Sequence, residues 1–346
     1  MSHATNWIIS TFAGTGAQGY AGDNGPAAAA LLNNPFDLAF DSANNLIFSD
    51  TFNHRIRRID ARTGVITTIG GTGEGGFAGD GGPAVRAALN EPYGVVVDHG
   101  GTVYFADRLN RRVRRIDPAG VITTFAGDGS GKFSGDGGPS ASAGLAEPNG
   151  LALDADETQL YIADVADHRV RVVDLASGRI ATFAGTGEAQ HSGDGGPATS
   201  AGIFGARAVA FAPDGSLYVR ERQGSSIRRI RNGVIETVAG TGARGNAGDG
   251  GDAKHAVFNA PKEMTVDRSG NIFVVDTENH AIRLIDAASW MVTTIAGTGA
   301  AGPGGDGGPA NRAGLARPHG ATIGRDGAVY IGDSENHRIR KLVPRT

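Results

Sequence analysis

The chain has 346 residues, 32 basic against 36 acidic, and a formal net charge of −4, a balance that excludes the basic surface a nucleic-acid partner requires. No run of about 18 apolar residues occurs, which excludes a membrane-spanning helix, and without any Cys there are no disulfides and no thiolate chemistry. MSHATNWIIS shows neither a basic segment nor a cleavage site, so the expectation is a soluble, monomeric, cytoplasmic protein, or a secreted one if a signal peptide has been trimmed away.

In chain order the first predicted element is a strand over Asn6 to Ala13, followed by six copies of one unit. Each unit ends its second strand with an acid, at Asp50, Asp107, Asp164, Glu221, Asp276 and Asp333, in steps of 57, 57, 57, 55 and 57 residues. The second copy shows the unit plainly: an apolar run GVVVD (Gly94 to Asp98), an alternating strand TVYFAD (Thr102 to Asp107), a third strand RVRRID (Arg112 to Asp117) and a fourth, VITTFAG (Val121 to Gly127). Four short strands with turns between them make one twisted antiparallel sheet that cannot bury both faces alone. Six of them packed radially predict an all-β, six-bladed propeller filling residues 1–346 as one domain. The last copy stops after RIRKLVPRT, before its fourth strand. The opening strand Asn6 to Ala13 supplies the missing edge and closes the ring.

Residues present in every copy serve the repeat. The loops GDGGPAxxAxL carry Asp23, Asp80, Asp136, Asp194, Asp249 and Asp306, and we expect each Asp to cap a turn while the Pro opens one helical turn. His54, His168, His280 and His337 lie one to a blade in equivalent loops, as hydrogen-bonded loop residues and not a metal centre. Arg57, Arg114, Arg171, Arg228, Arg283 and Arg340 are expected to pair with the acid that ends the second strand.

Departures from the repeat point to function. The innermost strands begin Pro35-Phe36-Asp37, Pro92-Tyr93-Gly94, Pro148-Asn149-Gly150, Gly205-Ala206-Arg207, Pro261-Lys262-Glu263 and Pro318-His319-Gly320. Three third places hold Gly and three hold charge, so Asp37, Arg207 and Glu263 are expected to project into the channel mouth with Tyr93, Asn149, Lys262 and His319. In VRERQGSSIRRI (Val219 to Ile230) blade 4 adds Arg220, where every sibling has a small or apolar residue, and Arg222. With Arg207 they form a candidate clamp for an anion or a developing oxyanion.

The motifs AGDGGPA, PxG, YxAD and NHRIR closely resemble the NHL-repeat family over essentially the whole chain, which implies the propeller fold and leaves function open. PNGLALDADETQLYIAD (Pro148 to Asp164) is similar to a segment of the gluconolactonase and regucalcin-type propellers. That resemblance implies a divalent-metal ligand at Asn149, although in APKEMTVD Lys262 stands where that family has a metal-binding Asp. Asp37, Asn149 and Glu263 form the candidate metal set, calcium first and zinc second. The zinc-binding peptide-amidating lyases are matched at PHG of Pro318 to Gly320 alone.

These readings converge on a small-molecule enzyme hydrolysing an ester, lactone or phosphoester at the channel mouth. A metal or Lys262 and His319 would activate, Glu263 or Asp37 would act as base or nucleophile, and Arg207, Arg220 and Arg222 would hold negative charge. The alternatives are a non-catalytic binding module for a peptide or anionic ligand, and a lyase using Tyr93 or His319 as base.

Overall fold

The structure, a computed structural model, describes residues 7–345. It consists of six four-stranded antiparallel sheets, with ten short 3₁₀ turns and no α-helix among the described residues. The innermost strands are Pro35–Phe40, Pro92–Val97, Pro148–Leu153, Ala206–Phe211, Glu263–Val266 and Ala321–Ile323, giving blades 1 to 6 in chain order. The strand Trp7–Ala13 pairs antiparallel with Arg338–Pro344, Ile9 opposite Leu342, and completes blade 6. The ring closes as the sequence predicts, although Asn6 lies outside the described residues.

The second strands are buried on both faces because each blade is covered on both sides: Leu46–Asp50, Val103–Asp107 and Ile272–Asp276 are buried throughout. The core is therefore divided into six clusters, each between two neighbouring blades. Leu38, Phe48 and Ile66 of blade 1, for example, pack against Tyr330 and Ile339 of blade 6. Closure makes all six interfaces equivalent, and no sheet is left with an uncovered face.

The repeated arginines are all fully buried. Arg57 donates to Asp50 at 3.2 Å and to the loop acid Asp23 at 2.7 Å, and the same double pairing recurs around Arg114, Arg228, Arg283 and Arg340. Blade 3 keeps only the loop pair, Arg171 to Asp136 at 2.5 Å. The expectation that these Asp residues cap turns is corrected here: each is the outer partner of a buried guanidinium. The reason is reach, since the crossover loop folds back over the third strand below it. The part of the expectation assigned to Pro holds, with a 3₁₀ turn following Pro26, Pro83, Pro139, Pro197 and Pro309.

The four loop histidines staple blades. His54, His168, His280 and His337 accept through Nδ1 from the backbone amides of Glu91, Gly205, Arg317 and Asn34 in the next blade, at 3.0 to 3.3 Å. All four take the left-handed conformation, such as His54 at φ 51°, and three of them end a 3₁₀ turn.

Removing residues 1–13 uncovers the edge of Arg338–Pro344 and the pocket of Ile9, at a cost of several kcal/mol. The expected outcome is a melting temperature lower by roughly 5 °C or more, with loss of solubility; an unchanged melting curve in soluble protein refutes the closure. Arg57→Ala strands the buried carboxylate of Asp50 and is expected to cost roughly 3–5 kcal/mol in denaturant unfolding. An unchanged midpoint would show that the pairing does not hold the blade.

Candidate functional site

The inner-strand triplets meet at one end of the channel. Phe36, Asp37, Tyr93, Asn149, Arg207, Lys262, Glu263 and His319 line a common cavity of about 20 Å³, room for about one water. Two local features place them there. A left-handed residue precedes the inner-strand start in five blades, Asn34, Glu91, Gly205, Ala260 and Arg317, and turns the chain inward. In blade 4 Ala206, paired with Glu221, stands level with Pro35, paired with Asp50, so Arg207 holds the middle place of its triplet and not the third place expected from the sequence. In blades 1 to 4 a bulge follows, the register slipping between Pro35 and Leu38, Pro92 and Val95, Pro148 and Leu151, and Ala206 and Ala208. Strict alternation would point successive residues to opposite faces, and the bulge is what lets the middle and third residues face one cavity.

The three glycines have their own reason. A Cβ on Gly94 would lie 2.2 Å from the Asn149 carbonyl oxygen, and one on Gly320 would lie 2.1 Å from that of Phe36. At these junctions the next blade presses its backbone against the strand. The inner strands of blades 5 and 6 hold only four and three residues, and beside them the ring admits Arg207, Lys262, Glu263 and His319.

Asp37 accepts backbone amides on both oxygens, from Leu38 at 2.9 Å and from Val95 of blade 2 at 2.9 Å. Burial pushes its carboxyl up to about 6, against the pull of those amides and Arg207. Glu263 accepts only from Met264, at 3.0 Å; burial first, and then the charge of Asp37, hold it well above the usual carboxylate range. Of the two, Glu263 therefore holds a proton more tightly and Asp37 ionises first.

Facing them is a base pair of another kind. The His319 ring is 6 % exposed and stacks on Phe36 with centroids 3.8 Å apart. Its Nδ1 lies 2.8 Å from the Arg317 carbonyl oxygen and its Nε2 3.0 Å from Lys262 Nζ. The carbonyl can only accept, so Nδ1 carries the proton and Nε2 receives from Lys262. Burial, then Lys262 and Arg207, hold the imidazole well below its usual range, so it is neutral. Burial, then the charges of Arg207, Arg317 and Arg222, pull the Lys262 ammonium down to about 7.

Arg207 is 6 % exposed, donates to Asn149 Oδ1 and lies 5.0 Å over the Tyr93 ring. Its charge has no carboxylate ion-pair partner within 4.0 Å among the described residues. The two other arginines of the expected clamp lie elsewhere. Arg220 is fully buried outside the cavity wall, donates to the Glu221 carbonyl oxygen, leaves Nε and Nη2 without partners, and is lowered by burial to about 9. Arg222 is half-buried and acts on Arg207 and Lys262 only through its charge.

The candidate metal set does not fit a divalent cation. Asn149 Oδ1 is taken by Arg207 and its Nδ2 donates to the Glu147 carbonyl oxygen at 2.9 Å, while both Asp37 oxygens hold amides. The guanidinium stands where a cation would be balanced, and no group of three metal-ligating His, Cys, Asp or Glu side chains exists among the described residues.

Sequence reasoning missed the rim. Arg108 bridges Glu91 and Glu147 at 2.6 and 2.9 Å beside Tyr93, and Arg317 bridges Glu278 and Glu335 at 2.6 and 2.8 Å beside Lys262. The available signal was the place before each inner-strand Pro, where Asn34, Glu91, Glu147, Ala260 and Arg317 differ as freely as the triplets do.

The family model described as Teneurin NHL domain matches residues 72–134, and that of the NHL repeat matches residues 315–342. The chain is an NHL-repeat β-propeller. This NHL propeller is 29% identical over 334 residues to Protein SUPPRESSOR OF QUENCHING 1, chloroplastic, of Arabidopsis thaliana, covering 92% of this chain and 31% of that one. It is 28% identical over 332 residues to NHL repeat-containing protein 2 of Gallus gallus, covering 87% and 45%. The chain thus spans less than half the length of these curated relatives. Among solved structures it is similar to an auxiliary nutrient binding protein from Bacteroides thetaiotaomicron (TM-score 0.72, 20% identity, 98% of this chain and 76% of that one). It is also similar to a gluconolactonase from Xanthomonas campestris (TM-score 0.59, 14%, 91% and 87%) and to a streptogramin B lyase (TM-score 0.57, 16%, 100% and 100%). At these identities the likeness is one of fold. No helix among the described residues is long and apolar enough to cross a membrane.

If Arg207 supplies the positive charge of the site, prolonged chelation is expected to leave melting temperature and ligand binding or turnover unchanged. One equivalent of calcium or zinc surviving dialysis, and lost from Asp37→Asn, would overturn that assignment.

Proposed function

We propose that this propeller is a small-molecule enzyme that hydrolyses an ester or lactone by metal-independent acid–base chemistry at the channel mouth. The observation that carries the reading is the Lys262–His319 pair, a base at 3.0 Å from a buried imidazole whose own proton is spent on Arg317. Opposite it stands Glu263, the carboxyl that holds its proton more tightly than Asp37. Lys262 takes a proton from water as the oxygen attacks the carbonyl carbon. The tetrahedral oxyanion falls to Arg207, whose guanidinium has no carboxylate at ion-pair distance, and Glu263 gives its proton to the leaving oxygen. The Lys262 ammonium then passes its proton through solvent to the Glu263 carboxylate, which restores both groups. This assigns Glu263 as the acid, where the sequence suggested base or nucleophile. The fold likeness to a gluconolactonase agrees with lactone hydrolysis. As a lyase base His319 is poorly placed, both ring nitrogens being engaged.

A second reading is favoured by the cavity itself: about 20 Å³ admits little more than water. In that reading the mouth recognises an anionic group presented from outside, without chemistry.

The base must be deprotonated and the acid protonated. kcat/KM is therefore expected to rise with pH through about 7, where Lys262 loses its proton, and to fall at higher pH as Glu263 ionises. Lys262→Ala should lower kcat/KM roughly 100- to 10,000-fold with the melting temperature retained. An ester, lactone and phosphotriester panel that shows no turnover by the folded wild type at any pH sinks the enzyme reading and leaves recognition.

A further inference from the structure

Blade 4 departs from its siblings at a second place, away from the channel. The third strand begins with Arg55, Arg112, Arg169 and Arg338 in blades 1, 2, 3 and 6. Each of these guanidiniums plugs a slot between two loops by donating to carbonyl oxygens on both sides. Arg112 reaches those of Asn110 at 2.8 Å and Asp128 at 2.6 Å, and Arg338 those of Thr15 at 3.0 Å and Pro303 at 3.2 Å. In blades 1 to 3 an aromatic ring lies against the guanidinium: Tyr20, Phe77 and Phe133, 3.6, 3.8 and 3.9 Å from Arg55, Arg112 and Arg169.

In blade 4 the Arg is Ser226, paired across the strand with Glu221 just as Arg55 is with Asp50, and the ring is His191. What remains is a pocket of about 510 Å³ lined by His191, Asp194, Gln223, Ser226, Thr237 and Thr241. The glycine of the slot records the loss. A Cβ on Gly73 would lie 2.2 Å from Arg55 Nη1, whereas one on Gly242 meets nothing nearer than the Gly224 carbonyl oxygen, at 3.6 Å.

The groups around this vacancy are predominantly acceptors. Glu221 Oε2 holds both His191 Nδ1 and Ser226 Oγ, and the Asp194 side chain is 46% exposed, whereas Gln223 Oε1, without a donor, is packed against Gly205 and not open to the pocket. The buried Arg228 beside them is already shared between Asp194 and Glu221. Ser226, His191 and Glu221 do not form a hydrolytic triad, because Ser226 donates directly to Glu221 and the hydroxyl at His191 Nε2 is that of Thr237, at 3.0 Å. Blade 5 also lacks the Arg, with Ala281 in its place, but there Asn246 Nδ2 turns toward Gly299.

We propose that the blade 4 pocket binds a guanidinium group from outside the chain, which takes the position that the chain's own arginine occupies in four sibling blades. The proposal is independent of the chemistry at the channel mouth. The guanidinium belongs either to a free small guanidino compound or to an arginine side chain of another protein.

The test is a titration of full-length protein, followed by NMR, with methylguanidine, with N-acetyl-arginine-methylamide, and with the corresponding lysine amide as control. The variants are Ser226→Arg, which refills the slot from within, Ser226→Gln, which fills it without charge should the first fail to fold, and Ala281→Arg, which adds the same charge in blade 5. We expect saturable guanidinium binding in wild type and Ala281→Arg. It should be weaker by at least about tenfold for the lysine amide and in either Ser226 variant, the scale of losing a charge-assisted hydrogen bond. Tighter binding of the capped arginine than of methylguanidine identifies a protein side chain as the occupant, and the reverse order a free compound. Equal binding in wild type and Ser226→Arg, or none at millimolar ligand in wild type, overturns the proposal.

Discussion

The acid that ends each second strand holds the molecule in register. One of its oxygens accepts a backbone amide from the end of the incoming crossover loop: Asn33 to Asp50, Asn90 to Asp107, Glu147 to Asp164, Phe204 to Glu221, Asn259 to Asp276 and Ala316 to Asp333, all at 2.7 or 2.8 Å. In five blades a buried arginine then ties that acid to a second acid near the start of the same loop. Both ends of the crossover are thus fixed to the sheet beneath it, and the inner strand starts within a few residues of a fixed point. Six such fixed points on a ring are why the triplets meet. A carboxylate buried this deeply is costly unless it is fully hydrogen-bonded, and its partners must come from loop and sheet together.

Because that frame is repeated, side chains that differ among the blades are free of it. Asp37, Tyr93, Asn149, Arg207, Lys262 and His319 occupy places where three siblings manage with glycine or where no two blades agree. They interact with one another across blades: Lys262 with His319, 57 residues apart, and Arg207 with Asn149, 58 apart. Burial does the remaining work. Taking these groups out of water raises Asp37 to about 6 and Glu263 above the usual carboxylate range, lowers Lys262 to about 7, and pushes the His319 imidazole well below its usual range so that it stays neutral. Blade 4 shows the frame absorbing a change without loss. When its acid lengthens to Glu221 and the usual Asn becomes Gly224, His191 and Ser226 supply the missing contacts.

Much of this was legible in the sequence. A period of about 57 residues gives the blades, the missing last strand gives the closure, and the triplet departures give the residues of the cavity. The partners were not legible. Nothing local to Asn149 says that its carbonyl is committed to Arg207, and so the metal set read from oxygen-bearing residues looked sound until the guanidinium was found among them. Arg220 and Arg222 were read as neighbours of Arg207 because they share its blade, but one strand further out places Arg220 behind the cavity wall. The loop Asp residues were taken for turn caps since DGG reads as a turn, and sequence alone does not reveal that the loop folds over Arg57 and its equivalents. His191 had a signal that went unread: it stands three places before the loop Asp, where the first three copies have Tyr20, Phe77 and Phe133.

The oddity of VRERQGSSIRRI thus separates into two effects. Arg222 adds positive charge at the channel mouth that contributes, after burial, to the lowering of Lys262 and of Arg207 itself, and Arg220 acts on Glu263. Glu221 and Ser226 face the other way, into the slot that siblings fill with arginine. In a strand whose neighbours alternate between faces, one stretch of altered sequence acts on two separate sites at once. The frame tolerates this because the contacts it requires, a carboxylate on the amide of Phe204 and on Arg228, are both kept.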